Sequence, residues 1–165
     1  MQYVNGENWR EIFEKSIGED LGVTCFNPYK KPFVNQRKED EETRTLLLDY
    51  MAKGDYQKVH DHMGLVRSDD LRLTDLVDFA VCHIYPSIAS WGTAEEIVTL
   101  NREKKPIFVA VDGGVSKTPL WLMGTLKPHY FYNSVDEIIQ MLKKIDSGEK
   151  TIDSERWRLL RKEFR

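Results

Sequence analysis

One stretch limits the folds open to this chain more than any other. Residues 78–111 read DFAVCHIYPSIASWGTAEEIVTLNREKKPIFVAV. Two short apolar runs, 79–84 and 107–111, flank a segment with helical spacing, and a loop holding Pro86, Ser87, Ser90 and Gly92 follows the first run. Continuous apolar runs of this length predict strands buried on both faces, as in parallel sheets. Joining two parallel strands takes a crossover of about a dozen residues or more, usually a helix. The stretch therefore predicts a βαβ unit and an α/β fold, a parallel sheet flanked by helices. In open sheets of this kind ligands bind beyond the carboxyl ends of the strands. The Pro/Ser/Gly loop stands there, and Glu95 and Glu96 follow it on the first turn of a helix expected to open at Thr93.

The rest of the chain fits around that unit. Asn8 predicts a helix cap, with Trp9, Ile12, Phe13 and Ile17 on one face as far as about Ile17. Gly18 and Gly22 bracket its end, and 23–26 reads as a strand closed by Asn27-Pro28. A doubly wound sheet would carry a strand before the first helix, and residues 1–6 leave little room for one. A charged excursion with Pro32 follows over 30–42. Helical patterning then covers Leu46, Leu47, Tyr50 and Met51 and resumes over 56–63, with Gly54 between. Asp69 predicts the cap of a further helix through Leu71, Leu73, Leu76 and Val77. Near the end, 130–132 reads as a last strand. Ser134 and Glu137 form a capping box for an amphipathic helix through Ile138, Ile139, Leu142 and Ile145, stopped by Gly148. The expected organisation is one domain over 1–148 and a helical tail over 149–165, whose Trp157, Leu160 and Phe164 would pack on the domain or a subunit.

Composition narrows the function classes. A chain of 165 residues, 41% hydrophobic and 31% charged, can bury a real core and is not a disordered one. The net charge of -3 gives no reason to expect a nucleic-acid partner. No apolar run matches a membrane span, and no secretory leader is expected before the first helix. The two cysteines, Cys25 and Cys82, lie in apolar runs, which fits free thiols in a reducing cytoplasm.

Several patterns carry candidate chemistry. Thr93-Ala94-Glu95-Glu96 matches a capping box, and the same place suits a nucleophile, because a helix N-terminus favours a carboxylate in its charged, attacking form. Local sequence leaves those roles open. Of the pair Asp69-Asp70, one caps a helix and the other is a candidate proton-transferring acid. His60-Asp61-His62 has no third ligand at metal-site spacing and points to no metal. His83 reads as a core or rim histidine. The run Asp112-Gly113-Gly114-Val115-Ser116-Lys117 lacks the spacing of a phosphate loop, and Pro119 follows at once, so it reads as a turn.

Taken together, DLRLTDLVDFAVCHI and SWGTAEEIVTLNREKKPIFV resemble the nucleoside 2-deoxyribosyltransferase-like family. Asp70-Leu71, Asp78, Gly92-Thr93-Ala94, Glu96-Ile97 and Lys105-Pro106 stand at its motif positions, and Trp9-Arg10 and Asn27-Pro28 also match. The similarity extends to about Lys144. It implies a flavodoxin-like fold, with the first strand short or missing, and cleavage of the N-glycosidic bond of 2'-deoxynucleosides without a cofactor or metal. Glu96 would be the nucleophile at C1', and Asp70 would help protonate the leaving base. Asp78, Ser87, Ser90, Gly92 and Thr93 would line the substrate site. Trp121 and Met123 fall where a neighbouring subunit completes the family's site, which implies a homodimer or higher homo-oligomer. Trp121 would stack on a base or anchor the interface.

The chain departs from the family's transferases at Ser90, where they carry an aspartate. A related branch that hydrolyses deoxynucleoside 5'-monophosphates carries a serine there for the phosphate. The expected activity is therefore deoxyribosyl transfer between bases, with the 5'-monophosphate N-glycosidase as the alternative. A TIR-like NAD glycohydrolase and a non-catalytic nucleotide-binding module are more distant readings. In each case the partner is a small-molecule deoxynucleoside or nucleotide.

Overall fold

The computed structural model describes residues 7–28 and 40–151. In chain order its helices and strands are α1 (Glu7–Leu21), α2 (Glu41–Lys53), α3 (Tyr56–Leu76), β1 (Ala80–Ile84), α4 (Trp91–Arg102), β2 (Ile107–Val111), α5 (Leu120–Thr125), β3 (Phe131–Tyr132) and α6 (Val135–Asp146). The chain divides into two compact units, one of Met1–Cys25 with Val77–Arg165 and one of Phe26–Leu76.

The first unit is built on β2. All five of its residues are buried, because both faces of the strand are covered. Alternation sends Ile107, Val109 and Val111 into one core with Cys82, Ile97 and Leu100, against which Leu122 and Met123 also pack. It sends Phe108 and Ala110 into a second core with Phe13, Ile17, Ile138, Ile139 and Leu142. Helices α4 and α5 thus lie on one face of the sheet and α1 and α6 on the other. The strands run parallel in the order β1-β2-β3, from Ala80 opposite Ile107 to Ile84 opposite Val111, and with Val109 opposite Phe131. This is a mixed α/β architecture with a three-stranded parallel sheet flanked by helices, consistent with a flavodoxin-like fold. A surface ion pair, Lys143 Nζ to Asp20 Oδ2 at 2.6 Å, joins α1 to α6, but pairs this exposed contribute little beside the core.

The second unit carries α2 and α3. Asp40 caps α2 by accepting from the Thr43 N–H at 2.9 Å. Gly54 ends it in the left-handed conformation at φ 79°, which glycine adopts without the penalty a Cβ brings. Tyr50 lies under the Lys58 ammonium, 4.7 Å from its ring centre.

Several boundaries differ from expectation. Helix α1 begins at Glu7 and runs to Leu21, so Asn8 lies inside it and Gly18 does not end it. Its buried stripe is Phe13 and Ile17, with Trp9 partly covered, while Ile12 is exposed. Residues 23–26 form no strand. Val23 and Cys25 instead pack against the α1/α6 core as an irregular segment. Asp69 caps no helix, because α3 continues unbroken through Asp69 and Asp70, with Val66, Leu73 and Thr74 buried on either side of them. Capping preference is a weak local signal, and the periodic burial on both sides carries the helix through it. At α6, Ser134 accepts from the Glu137 N–H at 3.2 Å as expected, but the Glu137 carboxylate reaches the Asn133 N–H at 2.9 Å. The expected first strand and the helical tail fall outside the described residues, apart from 149–151.

Candidate functional site at the carboxyl edge of the sheet

The loop between β1 and α4 turns sharply, with the Ile88 N–H donating to the Tyr85 carbonyl at 2.9 Å across exposed Pro86 and Ser87. Helix α4 then opens at Trp91, two residues before Thr93. Ser90 is its N-cap residue, and the Ser90 carbonyl accepts the Ala94 N–H at 3.1 Å. The capping box centred on Thr93 is therefore not formed. Thr93 lies within the first turn, where its Oγ1 accepts a hydrogen bond from Ser90 Oγ at 2.8 Å. Glu95 and Glu96 consequently stand in the second turn, where the helix dipole acts less on them than at the N-terminus.

Helical spacing sets which way each glutamate faces. Ile97 and Leu100 are buried against the sheet, and Thr93 and Glu96 share their side of the helix. Glu96 is half-buried and close enough to Cys82, on β1, to help raise its pKa. Burial is the main cause of that rise, with Glu96 next and Arg10 opposing, and together they push the Cys82 thiol up to about 12. Glu96 thus belongs to the carboxyl end of the sheet. Ser90, Thr93 and Glu96 follow one another along a single side of the helix start.

The other expected site residues are spread more widely. Ser87 and Gly92 are exposed on the same edge. Met123 packs into the core beside α4, whereas Trp121 is 86% exposed at the start of α5. Asp78 is exposed two residues before β1, at the opposite end of that strand from the loop. Asp70 lies within α3, in the second unit. Among the described residues no group of three or more His, Cys, Asp or Glu side chains could hold a metal ion. Nor is any described helix long and apolar enough to cross a membrane.

A second set of side chains gathers on the same edge. His83 faces the α1 side of β1. Its Nδ1 lies 3.2 Å from Tyr85 Oη, and its ring meets Trp9 edge-on at 5.8 Å between centroids. The Arg10 guanidinium sits over the Trp9 ring at 4.6 Å. Asp112 directly follows β2, as Tyr85 follows β1, because Ile84 pairs with Val111. Burial lowers the basicity of His83, Asp112 opposes that shift, and Arg10 adds to it. Burial and then Asp112 raise the Tyr85 phenol, again against Arg10. In the sequence His83 reads only as a core or rim histidine. The signal available was the spacing of His83 and Tyr85, two apart at the end of a strand and so on one face.

The turn after β2 completes this edge. Gly113 and Gly114 adopt positive φ, and a short 3₁₀ turn spans Val115–Lys117. Asn133, just past β3, accepts the Val115 N–H at 3.0 Å and ties this turn to the next strand.

No family model, curated protein or solved structure matches this chain. Its functional reading therefore rests on the residues themselves.

Proposed function

We propose that this protein cleaves the N-glycosidic bond of 2'-deoxynucleosides and transfers the deoxyribosyl group to another base, with Glu96 as the nucleophile. The observation that carries this reading is the setting of Glu96. It is half-buried on the inward side of α4, at the carboxyl edge of a parallel sheet and close enough to Cys82 to help raise its pKa. Its capping role is gone, since α4 begins before Thr93. A carboxylate in this position can attack C1' through an oxocarbenium-like transition state, forming a glycosyl ester as the base departs with the bonding electron pair. A second base, or water, then attacks C1' and returns the pair to the carboxylate.

A second reading, hydrolysis of deoxynucleoside 5'-monophosphates, is favoured by Ser90. It is exposed at the N-cap of α4, and its side chain makes no capping bond there. Helix N-termini of this kind attract phosphate. A homo-oligomer is supported by Leu120 and Trp121, 91% and 86% exposed at the start of α5. The free Cys25 and Cys82 fit a cytoplasmic setting.

Two incubations separate the activities: a deoxynucleoside with a second free base, and a deoxynucleoside monophosphate alone, each followed for base release. Exchange in the first supports the transferase, and release in the second alone supports the hydrolase. Glu96→Ala is expected to abolish base release while nucleoside binding stays measurable. Unchanged turnover in that variant would remove the mechanism.

A further inference from the structure

We propose that the α2/α3 hairpin is a docking surface for a second copy of this chain, the two hairpins packing face to face about a twofold axis. The inference does not depend on the glycosyl-transfer reading, and the surface is not that of Leu120 and Trp121. It starts from how little the hairpin buries. No residue of α2 is buried, and α3 buries Val66, Leu73 and Thr74. Thr43, Leu47 and Tyr50 of α2 and Val59 and His62 of α3 are partly covered, along the stripe where the two helices meet. A helix of 13 residues is marginal in water by itself, and helices in proteins owe most of their stability to packing of an apolar face.

Helical spacing locates the apolar side chains that this stripe leaves over. Lys58 sits over the Tyr50 ring at 4.7 Å, so those two residues share one side of the hairpin. At about 100° per residue, Leu48 lies about 200° round α2 from Tyr50, and Tyr56 lies as far round α3 from Lys58. Both therefore face the other side. Met51 stands three residues after Leu48, and Met63 stands seven after Tyr56, so each joins its neighbour there. Leu48, Met51, Tyr56 and Met63 are 58%, 48%, 62% and 43% exposed. Leu46, four residues before Tyr50, takes the opposite side.

The size and composition of this face fit a copy of itself. At roughly half exposure, its four side chains leave on the order of 400 Å² of mostly apolar surface, within the range of patches that mark interaction sites. Two such faces would bury on the order of 800 Å² of apolar surface together. At the apolar fraction of homodimer interfaces that is about 1,200 Å² in all, which reaches the size of a specific contact. Methionine and tyrosine at the centre with arginine at the rim is also the composition of such interfaces. The rim holds Arg44, one turn before Leu48 and paired with Glu41 at 3.8 Å, and Arg67, one turn beyond Met63. A twofold axis through the centre sets apolar side chains, not like charges, against each other.

Sedimentation equilibrium on this chain tests the proposal. The parent chain should associate with a dissociation constant of about 1–100 µM, as suits an interface near the lower size limit. Leu48→Glu with Met63→Glu should weaken that contact by about a hundredfold or more, because the axis then sets like charges against each other. The assembly should lose mass, down to the monomer where this is the only contact between copies. Leu46→Glu, on the opposite side, should leave the mass unchanged. Leu48→Lys with Met63→Lys should weaken self-association in the same way, and mixing the Glu and Lys chains should restore the pair. Loss of folding cannot imitate that restoration, which needs two copies meeting at this face. A parent chain that stays monomeric at about 100 µM would overturn the proposal, since the face then has another occupant. So would an unchanged mass in the Glu variant, or Glu and Lys chains that do not combine.

Discussion

Asn133 offers the sharpest quantitative test of how the carboxyl edge is held. Its Oδ1 accepts the Val115 N–H at 3.0 Å, and its Nδ2 donates to both Glu137 oxygens at 3.2 and 3.3 Å. Its backbone N–H donates to Glu137 Oε2 at 2.9 Å and survives any side-chain change. Asn133→Ala removes one neutral bond and one bond to a charged group. Because water can replace both, the cost should be about 1–2 kcal/mol. Asn133→Asp keeps the shape and the acceptor facing Val115, but sets a second carboxylate where the amide stood, 3.2 Å from Glu137 Oε1. At that distance like charges repel by about 1.3 kcal/mol in bulk water and about 5 kcal/mol at an effective dielectric of 20. Exposure favours the lower figure. The Asp variant should therefore be about 2–3 kcal/mol less stable than the parent chain at pH 7 and about 1 kcal/mol less stable than the Ala variant. Salt screens exposed charges, so the gap between the two variants should narrow as ionic strength rises. Urea denaturation at low and high salt measures both gaps. An Asp variant at least as stable as the Ala variant at pH 7 and low salt, or a gap that does not change with salt, would refute the argument.

Three further outcomes follow from the packing. Ile97, 1% exposed, seats α4 and with it Glu96. Ile97→Ala should cost about 2–5 kcal/mol and Ile97→Val about 0.5–1.5 kcal/mol in urea denaturation, and equal costs for the two would contradict its place in the core. Burial makes His83 less basic in the folded chain than in the unfolded one. Its contribution to stability is then complete above about pH 6.5 and lost as pH falls through the folded value, so His83→Gln should flatten the drop in Tm between pH 7 and pH 5. Cys82 is buried with its thiol raised to about 12, whereas Cys25 is partly exposed. A thiol reagent should label Cys25 first and reach Cys82 only on unfolding, and simultaneous labelling of the native chain would count against this packing.

The sheet was legible because β2 and most of β1 are continuous apolar runs. Burial on both faces selects such runs, and Pro106 and the Tyr85–Pro86 turn bound them. Ser134 and Gly54 were legible for a similarly local reason, since one bonds the helix start and the other takes a left-handed turn. Thr93, Asp69 and Asn8 misled as caps. A capping side chain marks where a helix can begin, but continued burial along the helix decides whether it begins there. Residues 23–26 are apolar enough for a strand, yet Val23 and Cys25 pack against the α1/α6 core without pairing to the sheet, a choice no local pattern reports.

The site divides along the same line. Sequence alone determined that a βαβ unit would bring Ser90, Thr93 and the two glutamates to the carboxyl end of a buried strand, because chain connectivity and hydrophobic periodicity require it. It left Glu95 and Glu96 undecided between cap and catalyst. Only the tertiary structure settled the capping question, by starting α4 at Trp91 and setting Glu96 close enough to Cys82 to help raise its pKa. It alone assembled Arg10, His83, Tyr85 and Asp112 on one edge. Three elements distant in sequence meet there, and only the pairing register of β1 with β2 and the packing of α1 across them bring those groups near enough to act electrostatically on His83 and Tyr85.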